Sequence, residues 1–202
     1  MKTTAALKIG IVGLGRLGRR HALCLTQHVP AAQLVSACNP SRAALDWAGT
    51  MLGVEQLYQD FDRFIESADV DAVVLASPTT EHARQFELAM RAGKHVFVEK
   101  PLSLDLSTCE ALAQQAAACP NQVAMVGFER RFDPDIVRTR AAIERGELGR
   151  PFLVRSQTCD MHDPSGSFVR YSPNSGGIFQ DCTVHDIDLA RWMLGNPRAV
   201  KV

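Results

Sequence analysis

Three short stretches carry residue types at spacings that could do chemistry. "GLGRLG" places Gly13, Gly15 and Gly18 as G-x-G-x-x-G after an apolar run and at the head of a helical pattern. In such a loop the first glycine permits a tight turn and the second lets backbone approach a pyrophosphate. The third lets the helix pack closely, and the helix N-terminus favours the negative charge. "VFVEKP" ends a buried strand pattern in Glu99, Lys100 and Pro101. A lysine there can stabilise an oxygen that gains negative charge during a reaction, although a surface ion pair would give the same spacing. "GGIFQDCTVHDIDLARWMLG", from Gly176 to Gly195, reads as a helix in which Asp181 and His185 are spaced i, i+4. Helical geometry then puts both on one face. Taken alone, that pair fits either a reactive couple or a helix-entry carboxylate beside a buried histidine.

The elements that must position these residues alternate. "LKIGIVG" reads as a buried strand, "RLGRRHALCLTQH" as a helix and "LVSACN" as a strand. "SRAALDWAGTML" reads as a helix with Ser41 as N-cap. "LYQD" and "FDRFIES" form a short third pair, and "DAVVLAS" is the fourth strand. The helix "TEHARQFELAMRAG" stops at Gly93 before the strand "HVFVEK". A helix from about Leu104 to Cys119 and the strand "VAMVGF" follow. Short apolar strands alternating with amphipathic helices imply a parallel sheet covered on both faces. Beyond residue 130 the rhythm changes to a helix, a long strand "RPFLVRSQTC", a polar loop, the 176–195 helix and a further strand "RAVKV". The expected class is α/β: a doubly wound parallel sheet over 1–130, followed by an incomplete open-sheet α/β domain over 131–202.

The residue that selects between dinucleotides belongs about 20 positions beyond the glycine motif. The position 21 residues after Gly18 is Asn39. An acid there would bind a ribose 2′-hydroxyl and repel a 2′-phosphate; Asn39 does not repel it, and Ser41 and Arg42 could contact it. NAD or NADP are both expected, with a slight tilt toward NADP or dual use. The expected cofactor-facing residues are Gly13, Leu14, Gly15, Arg16, Leu17 and Gly18, then Asn39, Ser41 and Arg42. Ser77 and Pro78 at the fourth strand's end and Glu99 with Lys100 complete the set. His82, in the first turn of a helix, reads as structural or exposed rather than catalytic.

Lysines plus arginines balance acids at 22 each, so no net field draws the chain to nucleic acid or anionic lipid. The 6 cysteines lack C-x-x-C spacing, which argues against a zinc site or a disulfide framework and for a reducing, cytoplasmic setting. No apolar run reaches the roughly 18 residues of a membrane helix. Lys8 interrupts the N-terminal apolar run and arginines follow, which is a poor signal peptide.

"IGIVGLGRLGRRHA", "VVLASPTTEHARQFELAMRAGKHVFVEKPL", "GFERRFDP" and "SGGIFQDCTVHDIDLARWMLG" together resemble, in order and over essentially the whole chain, the glucose-fructose oxidoreductase, inositol dehydrogenase and rhizopine-catabolism (Gfo/Idh/MocA) family. The likeness is strongest with its inositol 2-dehydrogenase branch. It implies an N-terminal Rossmann domain and a C-terminal domain whose open sheet carries the substrate pocket and much of a homo-oligomer interface. It also implies oxidation of a secondary hydroxyl of a polyol, inositol or sugar with NAD or NADP. The family's E-K-P lysine falls on Lys100, and its D-x-x-x-H pair on Asp181 and His185. The implied roles are His185 as base, Asp181 orienting the imidazole or the substrate, and Lys100 stabilising the alkoxide. Arg130 is a candidate substrate ligand, with Asp181 and His185 also facing substrate.

Family members continue well beyond residue 202, so the resemblance implies a chain that is C-terminally truncated relative to them. The alternative reading is a non-catalytic dinucleotide sensor, a co-repressor or an inactive fragment.

Overall fold

The structure, a computed structural model, describes residues 6–200. Residues 1–5, which contribute to the reading of the N-terminus, lie outside the described residues, as do Lys201 and Val202 at the end of "RAVKV". The chain divides into two compact units, 1–127 and 128–202.

In the first unit, strand and helix alternate: β1 (Leu7–Val12), α1 (Arg16–His28), β2 (Ala32–Cys38), α2 (Arg42–Leu52), β3 (Gln56–Tyr58), α3 (Phe61–Ser67), β4 (Ala72–Leu75), α4 (Thr79–Arg91), β5 (His95–Glu99), α5 (Leu106–Ala117) and β6 (Ala124–Gly127). All five ladders are parallel and the strand order is β3-β2-β1-β4-β5-β6. β1 and β4 are neighbours although two strands separate them in sequence. The order therefore reverses at β1, which opens a crevice at the carboxyl ends of the strands.

The period of two along each strand splits the apolar residues between two cores. Ile9 and Ile11 of β1 and Val74 of β4 pack with Ala22, Leu45 and Ala48 of α1 and α2. Val12, Val73 and Leu75 pack on the opposite face with Phe64, Phe86 and Leu112 of α3, α4 and α5. Burying each such large side chain contributes about 1.5–3 kcal/mol, so both sheet faces hold the strand ends in place.

Helix starts depend on carboxylates more than on the expected serine. Ser41 occupies the N-cap position of α2 but makes no side-chain cap bond, whereas Asp60 and Asp105 cap α3 and α5. Asp105 accepts from Ser107 Oγ at 2.6 Å, Thr108 Oγ1 at 2.7 Å and Thr108 N at 2.7 Å. Those donors, the Ser107 hydroxyl foremost, hold its carboxyl down at about 2. A depressed carboxyl stabilises the fold fully above its unfolded value of about 3.9, and the contribution fades as pH falls through the folded value. The Asp105→Ala chain should therefore melt below the parent at neutral pH, with the gap closing as pH falls from about 4 toward about 2. Thermal melts across that range check it.

The second unit holds a 3₁₀ turn (Glu129–Phe132), α6 (Pro134–Glu144), a short α7 (Ser167–Tyr171), a π-helical segment (Phe179–Thr183) and α8 (Val184–Met193). Three expectations are corrected here. Residues 150–159, expected as a long strand, carry no regular secondary structure, and neither do residues 197–200. Strand propensity needs a partner to supply ladder hydrogen bonds, and no strand of this unit lies among the described residues. The expected single helix runs through a π segment before α8 begins. All six cysteines are free thiols. Among the described residues no helix is long and apolar enough to cross a membrane.

Candidate functional site

The expected cofactor-facing residues of the first unit gather at the carboxyl ends of β1, β2, β4 and β5. Gly13 follows β1 with φ at +87°, in the left-handed region that favours glycine. A Cβ there would lie 2.5 Å from the Ala76 carbonyl oxygen, so the loop packs directly on the backbone that leaves β4. A Cβ on Gly18 would lie 1.8 Å from the Gly13 carbonyl oxygen. Gly15 differs, because a Cβ there would meet nothing within 4 Å. Two glycines thus close the loop on itself and the middle one leaves open space above it.

Gly15 is also the N-cap of α1, which receives no side-chain cap bond and has no acid in its first turn. Free N–H donors, a positive dipole end and open space beside Gly15 fit a pyrophosphate. Asn39, after β2, accepts from Leu14 N at 2.9 Å through Oδ1, which ties the ribose-selecting position to the glycine loop. Arg42 is exposed and pairs with Asp46 one turn along α2. Arg19 donates to Leu14 O and lies 4.6 Å over the Trp47 ring, so part of the basic cluster is structural. Cys38, beside Asn39, is no nucleophile: burial pushes its thiol up to about 12.

At the end of β5, the Glu99 carboxylate meets His21 Nε2 of α1 at 2.6 Å. The His21 ring lies edge-on to Phe97 at 5.4 Å. Glu99 therefore joins strand to helix, a partnership that the sequence spacing did not reveal. Ser77 donates through Oγ to Gln85 Oε1 at 2.6 Å. His82 is 1% exposed, with its ring nitrogens 2.8 Å from Pro101 O and 2.9 Å from Ser77 O.

In the second unit, His185 opens α8 and is buried, with its ring edge-on to Phe128 at 6.3 Å. Its Nδ1 lies 3.4 Å from Glu129 Oε2. Asp181 sits in the π segment, whose i→i+5 bonding widens the turn just before His185; such segments recur at functional sites. Arg130 donates to Thr158 Oγ1 at 2.7 Å and to Asp186 Oδ1 at 3.2 Å. Asp186 also accepts from Ser156 and Thr158, and those hydroxyls, Ser156 first, with Arg130 and His185 hold its carboxyl below the usual range. Arg131 binds both carboxylate oxygens of Asp188, at 2.7 and 2.5 Å. Both arginines therefore rivet the 3₁₀ turn to α8 within one unit. Asp186 and Asp188 were missed in the sequence; the only signal was their nearness to His185 in "VHDID".

A glycine loop between β1 and α1, at the point where a parallel sheet reverses its strand order, defines a dinucleotide-binding α/β unit. Residues 7–128 match the GFO/IDH/MocA model, described as an oxidoreductase family with an NAD-binding Rossmann fold, and residues 136–202 match the GFO/IDH/MocA C-terminal domain. The chain belongs to this oxidoreductase family.

It is 36% identical over 189 residues to the scyllo-inositol 2-dehydrogenase (NAD(+)) of Bacillus subtilis, covering 94% of this chain and 54% of that protein. It is 38% identical to the inositol 2-dehydrogenase of Rhizobium meliloti, over 94% of this chain and 55% of that protein. The solved scyllo-inositol dehydrogenase of Lactobacillus casei with bound NAD(H) and scyllo-inositol superposes with a TM-score of 0.89 at 43% identity, over 94% of this chain and 56% of that one. The chain thus spans about half the length of the relatives it matches.

Proposed function

We propose that this chain is the dinucleotide-binding part, with some of the substrate-binding part, of an NAD-dependent dehydrogenase acting on a secondary hydroxyl of an inositol or related polyol. The observation that carries the reading is the closed glycine loop with open space at Gly15, facing the uncapped start of α1. The inositol dehydrogenases named above support the substrate class. Bound NAD would supply the two-electron acceptor for the carbinol hydrogen. His185 takes the hydroxyl proton, Asp181 orients the imidazole or the substrate, and Lys100 stabilises the oxygen as negative charge develops. Arg130 binds substrate through its remaining guanidinium donors, while Nη1 serves Thr158 and Asp186. The six free thiols suit a reducing cytoplasm, and a homo-oligomer is the proposed assembly.

The test is a melt of the chain alone, with NADH and with NADPH, paired with NADH formation from scyllo- or myo-inositol. An upward shift with NADH supports the binding part, since a ligand raises apparent stability by RT ln(1 + [L]/Kd). No shift with either cofactor defeats it. The Asn39→Asp chain sharpens the result. One carboxylate oxygen keeps the Leu14 N–H bond while the other accepts a ribose hydroxyl and repels a 2′-phosphate. The NADH to NADPH affinity ratio should rise about tenfold or more, the equivalent of about 1.4 kcal/mol. Fluorescence titration with each cofactor measures it.

A further inference from the structure

The functional reading uses Lys100 but leaves open what holds its backbone. The segment Lys100–Pro101 leaves β5, while Ala76–Ser77 leaves the neighbouring strand β4. Both lie on the side of the crevice away from Asn39. With the pyrophosphate at the β1 loop and the adenosine toward β2, the β4 and β5 ends face the nicotinamide half of a bound dinucleotide.

One side chain bridges these two exits. His82, on the first turn of α4, places Nδ1 2.8 Å from Pro101 O and Nε2 2.9 Å from Ser77 O while 1% exposed. Both partners are backbone acceptors, so the neutral ring donates to one of them, to Pro101 O as the Nδ1–H tautomer, and a buried carbonyl deprived of its donor is costly. The two exits differ in their other support. Ser77 is also held through its hydroxyl by Gln85, one turn further along α4 and 5% exposed, and Gly13 packs on the adjoining Ala76 backbone. Loss of the imidazole would therefore leave the Ser77 exit and the phosphate loop anchored, and would release chiefly the Pro101 exit.

We propose, resting on the NAD-binding reading above, that His82 is a positioning residue: it sets the spacing between the strand exits of β4 and β5 and so fixes the Lys100 backbone beside the nicotinamide half of the cofactor.

The test compares NADH with ADP-ribose, which shares the adenosine and pyrophosphate but lacks the nicotinamide. Isothermal titration is done on the parent chain, His82→Leu and His82→Asn, with a melt of each. His82→Leu should weaken NADH about tenfold and leave ADP-ribose within about twofold. His82→Asn, whose amide can take the Nδ1 position and donate to Pro101 O, should recover most of the NADH affinity. Should His82→Leu fail to melt cooperatively, the same NADH to ADP-ribose ratio is read from His82→Asn and His82→Gln, with Asn the better of the two. Equal weakening of both ligands, or unchanged binding of both, overturns the proposal. A parent chain that binds neither ligand defeats the functional reading itself, a result distinct from a variant that binds both normally.

Discussion

In the proposed dehydrogenase, completed to the length of its relatives, His185→Ala is expected to lower the rate of inositol oxidation by about 10²–10⁴-fold while NADH binding stays at the parent value. Carbinol oxidation requires the hydroxyl proton to leave as the carbon gives up its hydrogen with two electrons, and histidine titrates close to working pH. In this protein the ring is buried, set against Phe128 and near Glu129, so its orientation is restrained by packing. Removal also leaves a void beside Phe128, so the kinetic loss must be read beside a melt. The measurement is steady-state NADH formation at saturating NAD and inositol, with NADH affinity determined separately. Turnover unchanged by the substitution would remove His185 from the role of base. Loss of NADH binding in parallel with turnover would point to a collapsed fold rather than to a lost base.

The second large effect is expected in the glycine loop, where two neighbouring glycines should fail differently. A Cβ on Gly18 would sit 1.8 Å from the Gly13 carbonyl oxygen, a backbone atom with no rotamer to move into. Helix α1 would have to back away from β1, an overpacking cost of about 1–3 kcal/mol or more. At about 2–4 °C per kcal/mol for a chain of this size, Gly18→Ala should lower the melt by several degrees. It should also weaken NADH more than about tenfold, because the N–H groups aimed at the pyrophosphate move with the helix. Gly15→Ala meets nothing within 4 Å, so it should leave the melt nearly unchanged. Its methyl group would instead occupy the space proposed for the pyrophosphate and reduce NADH affinity alone. Melts and NADH titrations of the two variants separate them; a Gly15→Ala chain that binds NADH normally would remove the pyrophosphate from that position.

The first unit was legible because its signals are local. Each strand of the α/β alternation is a short apolar run buried on two faces, and each helix shows a period suited to one face, so order and type follow from neighbouring residues. Gly93 ends α4 in the left-handed region as its position suggested, with φ at +77°. The second unit was less legible. "RPFLVRSQTC" has the composition of a strand, but a ladder belongs to two segments, and among the described residues none pairs with it. The widened turn at Phe179–Thr183 carries no local signature that separates it from an ordinary helix.

The sequence by itself determined the class of protein. The G-x-G-x-x-G spacing, the strand that precedes it and the E-K-P strand end are covalent patterns, and their meaning depends on little beyond chain geometry. It also singled out Lys100, Asp181 and His185 as candidates, whose spacing left a structural reading open and whose roles came from the family resemblance. Tertiary structure alone decided what those neighbourhoods contain. Glu99 is tied to His21 from 78 positions away, Asn39 is bound to Leu14, and His82 spans two strand exits. Arg130 and Arg131 are engaged by carboxylates of α8. Each of these, except the contact of His82 with Ser77 five residues away, is a hydrogen bond between atoms far apart along the chain. Its donor and acceptor become neighbours only when the parallel sheet or the helices of the second unit have packed, so no local spacing could announce it.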